Sequence, residues 1–145
     1  MICYTGDMAY ANYHVGLKIL LRKGNDVLFL HSASKEFLDL PGGRIDDSED
    51  SVSVIDVLHR EIREELGGSV QYEVGEPLFQ YRRFVKNRFR IFLTVYDGVY
   101  LGGYVQISDE HSDYEWIDPQ KRRFTVDDFF HKEEYEAFLK HFSKR

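Results

Sequence analysis

Three glutamates fall within five residues in the run Arg60-Glu61-Ile62-Arg63-Glu64-Glu65-Leu66-Gly67-Gly68. On a helix, positions i, i+3 and i+4 are neighbours, and each like-charged pair at that spacing costs about 0.2–0.5 kcal/mol. Carboxylates so placed offer several hard oxygens within a few ångströms of one another, which suits a divalent cation such as Mg²⁺ or Mn²⁺. Taken alone, REIREE is more often an ordinary solvated helix face. Its surroundings carry the case for chemistry.

The helix that must hold these acids is well marked. Ser53-Val54-Ile55-Asp56 fits a capping box, in which the Ser53 hydroxyl satisfies a free backbone N–H and Asp56 reaches back. Gly67 and Gly68 supply a left-handed stop, so the helix is expected over about Val54 to Leu66. At 100° per residue, Ile55, Leu58, Ile62 and Leu66 form a stripe facing the core, and Glu61, Glu64 and Glu65 span an arc of about 100° that borders it. At the edge of a core, desolvation sharpens carboxylate repulsion and raises proton affinity unless a cation joins the group.

Around this helix the pattern is mostly strand. HVGLKILLRKGNDVLFLHS reads as two strands, Val15–Arg22 and Asp26–His31, with a turn at Gly24-Asn25. LDLPGGRIDDSED reads as a loop, broken by Pro41, Gly42 and Gly43. SVQYEVGEPLFQYRRFV, RFRIFLTVYDGVYL and YEWID read as further strands. Phe89, Ile91, Leu93 and Val95 share one face at period two. The last stretch, HKEEYEAFLKHFSKR, places Tyr135, Phe138, Leu139 and Phe142 at helical spacing. Strands on both sides of a central helix, with a terminal helix, point to an α+β sandwich. In YRRFVKNRFR, the cations Arg82, Arg83, Lys86, Arg88 and Arg90 interleave with aromatic rings and could hold phosphates and stack a base. The plainer reading is a hairpin with a basic tip near Lys86-Asn87.

With 145 residues, one domain over 1–145 is the expectation, and 43% hydrophobic residues, 15% aromatic, are enough to fill its core. Disorder is thereby disfavoured. The single cysteine, Cys3, cannot form an intramolecular disulfide and is taken as inert, which suits a reducing cytoplasm. The N-terminal run lacks the pattern of a signal peptide, and VGLKILL is too short and too charged to span a bilayer, so no membrane association is expected. A net charge of −6 argues against a general nucleic-acid-binding surface. Monomer and homodimer both remain open.

Gly43 is followed by RIDDS, Glu49, and later Arg60-Glu61-Ile62-Arg63-Glu64-Glu65-Leu66-Gly67. This order resembles the box of the Nudix hydrolase family (MutT-like), which runs Gly, five residues, Glu, seven residues, then Arg-Glu-apolar-x-Glu-Glu-x-Gly-apolar. Ten residues rather than seven separate Glu49 from Arg60, and Gly68 stands where the family has an apolar residue. The resemblance, with DLPGG before the box and SDEHSDYEWID after it, covers about Val15 to Asp118. It implies a Nudix fold, a mixed β-sheet sandwiched between helices (α/β/α), with the box as a loop-helix-loop at the sheet's edge. It implies Mg²⁺-dependent attack of water on a diphosphate linkage in a small nucleotide: a nucleoside diphosphate joined to another group, such as a nucleoside triphosphate, nucleotide sugar or dinucleoside polyphosphate.

By the family pattern Glu61 and Glu65 are metal ligands, and Glu64 is a ligand or the group that orients or deprotonates water. Arg60 holds a glutamate in place, and the Gly43 carbonyl is a further ligand. Glu110 is a candidate further acid, ligand or base, while His111 reads as a surface histidine. Of the cations, Arg82, Arg83, Arg88 and Arg90 are the candidates for substrate. The surplus Asp50-Ser51-Val52 is expected in the loop before the Ser53 cap, displacing Glu49 from its usual contact with the helix. Two rivals stand beside this reading. A catalytically silent nucleotide-binding or regulatory module of the same fold usually shows losses among the box acids, and here all three are present. An isoprenoid-diphosphate isomerase needs a reactive cysteine in the core region, where Cys3 is poorly placed.

Overall fold

Two apolar runs and one turn begin the sheet. In the computed structural model, which describes residues 9–34 and 36–144 and so leaves Cys3 outside, strand β1 (His14–Lys23) turns at Gly24-Asn25 into β2 (Asp26–Ser32). The two pair antiparallel only next to the turn, at Arg22↔Val27 and Lys23↔Asp26, and then diverge. Between them come β3 (Leu38–Asp39) and β4 (Gly42–Arg44), where the sequence reads as a loop. Pro41 and the glycines exclude long elements, yet two short pieces still pair: β3 with β2, and β4 with β1 across Gly16↔Arg44 to Lys18↔Gly42. Strands of two and three residues carry no periodicity from which to recognise them.

A short 3₁₀ turn (Asp47–Glu49) leads to helix α1 (Val54–Leu66). Beyond it run β5 (Gln71–Val85), β6 (Phe89–Gly102), β7 (His111–Ile117), a second 3₁₀ turn (Val126–Asp128) and α2 (Lys132–Phe142). The sheet order is β3-β2-β1-β6-β5, with β4 beside β1 and β7 beside β2. Only β1 and β6 run parallel, so the sheet is mixed. Alternation along β1 sends Leu17, Ile19 and Leu21 to one face, against Val57, Leu58, Ile62 and Leu66 of α1. The other face carries Leu20, Phe29, Leu93 and Val95 against Phe124, Phe138 and Phe142. Helix α1 covers one side of the sheet and α2 the other, an α/β/α sandwich. Among the described residues no helix is long and apolar enough to cross a membrane.

Helix α1 begins where its cap predicts. The Ser53 hydroxyl accepts from Asp56 N at 3.2 Å, and Gly67, at φ +84°, closes the other end by donating to the Arg63 carbonyl. The reciprocal capping box forms one turn earlier, between Asp46 and Glu49. The core stripe differs by one residue from the expectation: Ile55 is 36% exposed and Val57 fully buried. Ile55 sits in the first turn, which projects beyond the sheet. Exchanging it for Val57 widens the buried arc to about 180°, so Glu65 and Glu61 fall inside the arc rather than beside it. On α2, Leu139 is exposed and Glu134 takes a place in the buried face beside Phe138 and Phe142. Spacing alone cannot show that a glutamate is buried there, because its partner, Arg83, is 51 residues away.

Candidate active site

The site is built where β4 crosses beside α1. Gly42 adopts φ +144°, and a Cβ there would meet the Leu17 carbonyl oxygen at 2.0 Å, so the chain can lie this close to β1 only as glycine. Its N–H donates to Glu65 Oε1 at 2.7 Å. At Gly43 the space a Cβ would fill is occupied by the Glu61 carboxylate, whose Oε2 lies 2.1 Å from that point. The diglycine thus seats two of the three acids. Burial falls along the arc: Glu65 and Glu61 side chains are 8% and 14% exposed, and Glu64 is 59% exposed.

Arg60 ties the acids together. Its Nε and Nη2 donate to the two oxygens of Glu49 at 2.6 and 2.7 Å, Nη2 also lies 2.9 Å from Glu61 Oε1, and Nη1 reaches both oxygens of Glu64 at 3.1 Å. Such fork-to-carboxylate contacts are the strong, directional class of ion pair. Glu49 is therefore in contact with the helix, against the expectation that the insertion displaces it. The surplus residues lie before the cap, as expected, but the 3₁₀ turn at Asp47–Glu49 brings Glu49 back: it is buried, and its Oε1 accepts from Asp46 N. The Arg60 guanidinium holds the Glu49 carboxyl below the ordinary carboxylate range.

The charges do not balance. Burial raises the Glu65 carboxyl to about 7, although the Lys18 ammonium and the Gly42 N–H pull it back, and Asp39 and Glu110 push it further up. Burial likewise raises Glu61, against Arg60. Lys18 is itself buried, donating to Asp39 and to the Leu40 carbonyl at 3.2 and 3.1 Å. Asp39 is driven upward by burial, but Arg83 and Lys18 overcome this and hold it at about 2. Glu65, Glu110 and His111 each bring one ligand atom within 4.8 Å of the others. The His111 side chain is 9% exposed, its Nδ1 has no hydrogen-bond partner among the described residues, and it lies 3.8 Å from Glu65 Oε2. His111 is thus a buried neighbour of the acids rather than the surface histidine expected from its sequence.

These donors fit a hard divalent cation. Oxygens dominate the set, the buried Glu65 carboxylate is only partly balanced by Lys18, and the His111 Nδ1 lacks a hydrogen-bond partner among the described residues. Glu61, Glu65 and the Gly43 loop could hold one ion, with Glu64 at the rim and Glu110 and His111 beside Glu65. All but His111 line an open cleft of about 1030 Å³.

Of the four arginines singled out from the sequence, Arg82, Arg88 and Arg90 lie away from the acids and Arg83 lies beside them. Arg82 pairs with Glu133 at 3.0 Å. Arg83 is buried, bidentate to Glu134 at 2.7 Å and in contact with Asp39 at 3.3 Å. Arg88 and Arg90 lie over the rings of Phe89 and Tyr13. Arg83 lines a smaller cavity of about 300 Å³ beside the acids, with Lys18, Asp39 and His111; the other three line neither space. The sequence reading missed Lys18 and Asp39. The signal for Lys18 was there: it interrupts an apolar run that is buried on both sides.

No curated protein matches the chain in sequence. Solved structures do match in fold. The MutT NUDIX hydrolase from Burkholderia pseudomallei aligns with TM-score 0.71 and 20% identity, covering 90% of this chain and 98% of that one. The MutT protein from Methanosarcina mazei Go1 aligns with TM-score 0.66 and 25% identity, covering 89% and 98%. A UDP-X diphosphatase aligns with TM-score 0.68 and 18% identity, covering 97% and 68%. The NUDIX domain family model matches residues 12–141, and with the diglycine, Arg60 and the glutamate arc assembled on one cleft, the chain belongs to the Nudix family.

Proposed function

We propose that this protein, as a single domain over residues 1–145, is a divalent-metal-dependent Nudix pyrophosphohydrolase. It cleaves a diphosphate linkage in a nucleoside diphosphate joined to another group, a nucleoside triphosphate, nucleotide sugar or dinucleoside polyphosphate. The observation that carries this reading is the Glu61–Glu64–Glu65 arc facing an open cleft, two of its acids seated on Gly42-Gly43 and two tied by Arg60. A bare acidic cleft repels a diphosphate, so these residues act on such a substrate only through a cation. Mg²⁺ or Mn²⁺ held there would neutralise charge on the phosphoryl oxygens and make water a better nucleophile.

The chain's own contribution is placement. Gly42 N–H fixes one oxygen of Glu65 and leaves the other free as a ligand. Arg60 clamps Glu61 and Glu64 against Glu49 and so sets their spacing before any ion arrives. Each oxygen of Glu64 accepts only one long bond from Arg60 and retains a lone pair toward the cleft, so Glu64 can take the proton of the attacking water. Glu110, beside Glu65, is the other carboxylate able to do so. A silent binding module would not need Arg60 in contact with Glu49, Glu61 and Glu64 at once. The similarity to a UDP-X diphosphatase supports the diphosphate class of substrate.

The test is a panel of nucleoside triphosphates, nucleotide sugars, dinucleotides and dinucleoside polyphosphates assayed with Mg²⁺. At least one should be cleaved at a diphosphate linkage, cleavage should stop with chelator, and Mg²⁺ or Mn²⁺ should restore it. Cleavage that survives thorough chelation, or no cleavage of any member, would overturn the reading.

A further inference from the structure

The acid-lined cleft and the smaller cavity meet at Gly42, Gly43, Arg44, Glu65 and Glu110, among which Arg44 is the one cation. Eight carboxylates line the larger space, with two arginines. One of these, Arg60, is taken up by Glu49, Glu61 and Glu64. The other, Arg44, pairs with no carboxylate among the described residues.

Arg44 is nevertheless held in place. Its guanidinium carbon lies 4.6 Å from the centroid of the Phe89 ring, and Nη1 donates to His14 Nδ1 at 2.9 Å. The His14 ring stacks on Phe89 at 4.7 Å and 9°. Arginine can only donate, so His14 accepts at Nδ1 and carries its proton on Nε2. A hydrogen bond of this length cannot reach around a ring, so His14 and Arg44 lie side by side over the same face of Phe89. The charge is fixed by an aromatic face and a neutral imidazole, neither of which neutralises it. One donor is used, and among the described residues the remaining guanidinium N–H groups are committed to no acid.

We propose that Arg44 binds a phosphoryl group of the substrate at the junction of the two cavities, resting on the hydrolase reading above. A diphosphate drawn to cations at the glutamate arc must pass the Gly42–Arg44 strand to place its organic group in the smaller cavity. Arg44 is the cation that meets it there. A planar fork suits phosphoryl oxygens, and its preset position reduces the ordering required when the anion binds.

Arg44→Met and Arg44→Lys test this against the wild-type protein in three measurements. These are KM and kcat on whichever panel substrate is cleaved, the affinity for inorganic pyrophosphate with Mg²⁺ present, and the affinity for Mn²⁺ alone. Arg44→Met should raise KM and weaken pyrophosphate binding tenfold or more, with Mn²⁺ affinity and melting temperature unchanged. Arg44→Lys should recover part of the loss, since it restores the charge without the fork. Met and Lys variants that both keep KM and pyrophosphate affinity within twofold of wild type would overturn the proposal. So would an equal loss of Mn²⁺ affinity, which would place Arg44 in the support of the metal site. Should the wild-type protein cleave no panel member, the hydrolase reading fails on its own, and pyrophosphate binding still decides Arg44. A wild-type protein that neither cleaves nor binds pyrophosphate overturns both.

Discussion

Replacing Glu65 by glutamine should make the metal-free protein more stable at pH 8 and reduce the stability it loses between pH 5 and pH 8. Burial raises the Glu65 carboxyl from an ordinary 4.5 to about 7. The folded state therefore binds this proton more tightly than the unfolded state. Stability contributed by the protonated acid is fully present below pH 4.5 and is lost as pH rises through 7. At 1.36 kcal/mol per pH unit, the loss is about 3 kcal/mol, or roughly 6–12 °C in melting temperature for a chain of this size. Glutamine keeps the shape and can still accept from Gly42 N–H, so the variant loses the titration without losing the packing.

The assay is denaturant unfolding of chelated wild-type and Glu65→Gln protein between pH 5 and pH 8. Glu61 and Glu134 are also raised by burial and His111 is lowered, so each protein will carry a background slope. The difference between the two proteins isolates Glu65. Mg²⁺ at a hundred times its dissociation constant should add about 2.7 kcal/mol to the wild type at pH 8. It should add much less to the variant, and less to the wild type at pH 5, where the proton competes. If chelated wild type loses no more stability from pH 5 to pH 8 than Glu65→Gln does, the argument from an uncompensated buried carboxylate is refuted.

Gly43→Ala should keep its fold by circular dichroism but lose about tenfold or more in Mg²⁺ affinity, because the new Cβ would lie 2.1 Å from Glu61 Oε2. Wild-type metal binding in that variant would show that the close seat is not needed. Glu64→Gln, at a side chain 59% exposed, should change unfolding free energy by no more than about 0.5 kcal/mol while lowering turnover at least about a hundredfold. Turnover within tenfold of wild type would remove Glu64 from the proton-transfer role. Arg83→Met should cost about 3–5 kcal/mol, since it strands Glu134 and leaves Asp39 with Lys18 alone. A loss under about 1 kcal/mol in chemical unfolding would show that the buried pairs are not mutually dependent.

The parts of the fold that were legible in the sequence are those whose signals are local. Ser53 and Gly67 bracket α1 because a cap and a stop are read within a few residues. Gly24-Asn25 marks the β1–β2 turn for the same reason, and the face of β6 holding Ile91, Leu93 and Val95 follows from alternation. What was not legible depends on partners distant in the chain. Whether Ile55 or Val57 meets the sheet is decided by where the helix lies on it, and that choice determines how deeply Glu61 and Glu65 are buried. Arg82 and Arg83 read as free cations because Glu133 and Glu134, which receive them, stand 51 residues further on. Arg44 carries no local signal beside the glycines, since its aromatic support comes from His14 and Phe89 on two other strands.

The like charges on α1 are tolerated because the fold gives each glutamate a different answer. Glu65 has a backbone N–H and a share of Lys18, Glu61 has Arg60 and the space left by Gly43, and Glu64 has Arg60 and solvent. None of these answers is complete. Arg60 faces three carboxylates with one positive charge, and Lys18 is already committed to Asp39. Adding another arginine or lysine would quench the surplus and also fill the cleft with a side chain. A small divalent ion quenches it while leaving coordination positions for a phosphate and a water. The deficit is thus a property of the metal-free fold, and the pH-dependent instability expected of Glu65 is its direct thermodynamic expression. A cation held there would draw on the same surplus that strains the helix, so a substitution that relieves the strain by removing charge should weaken its binding.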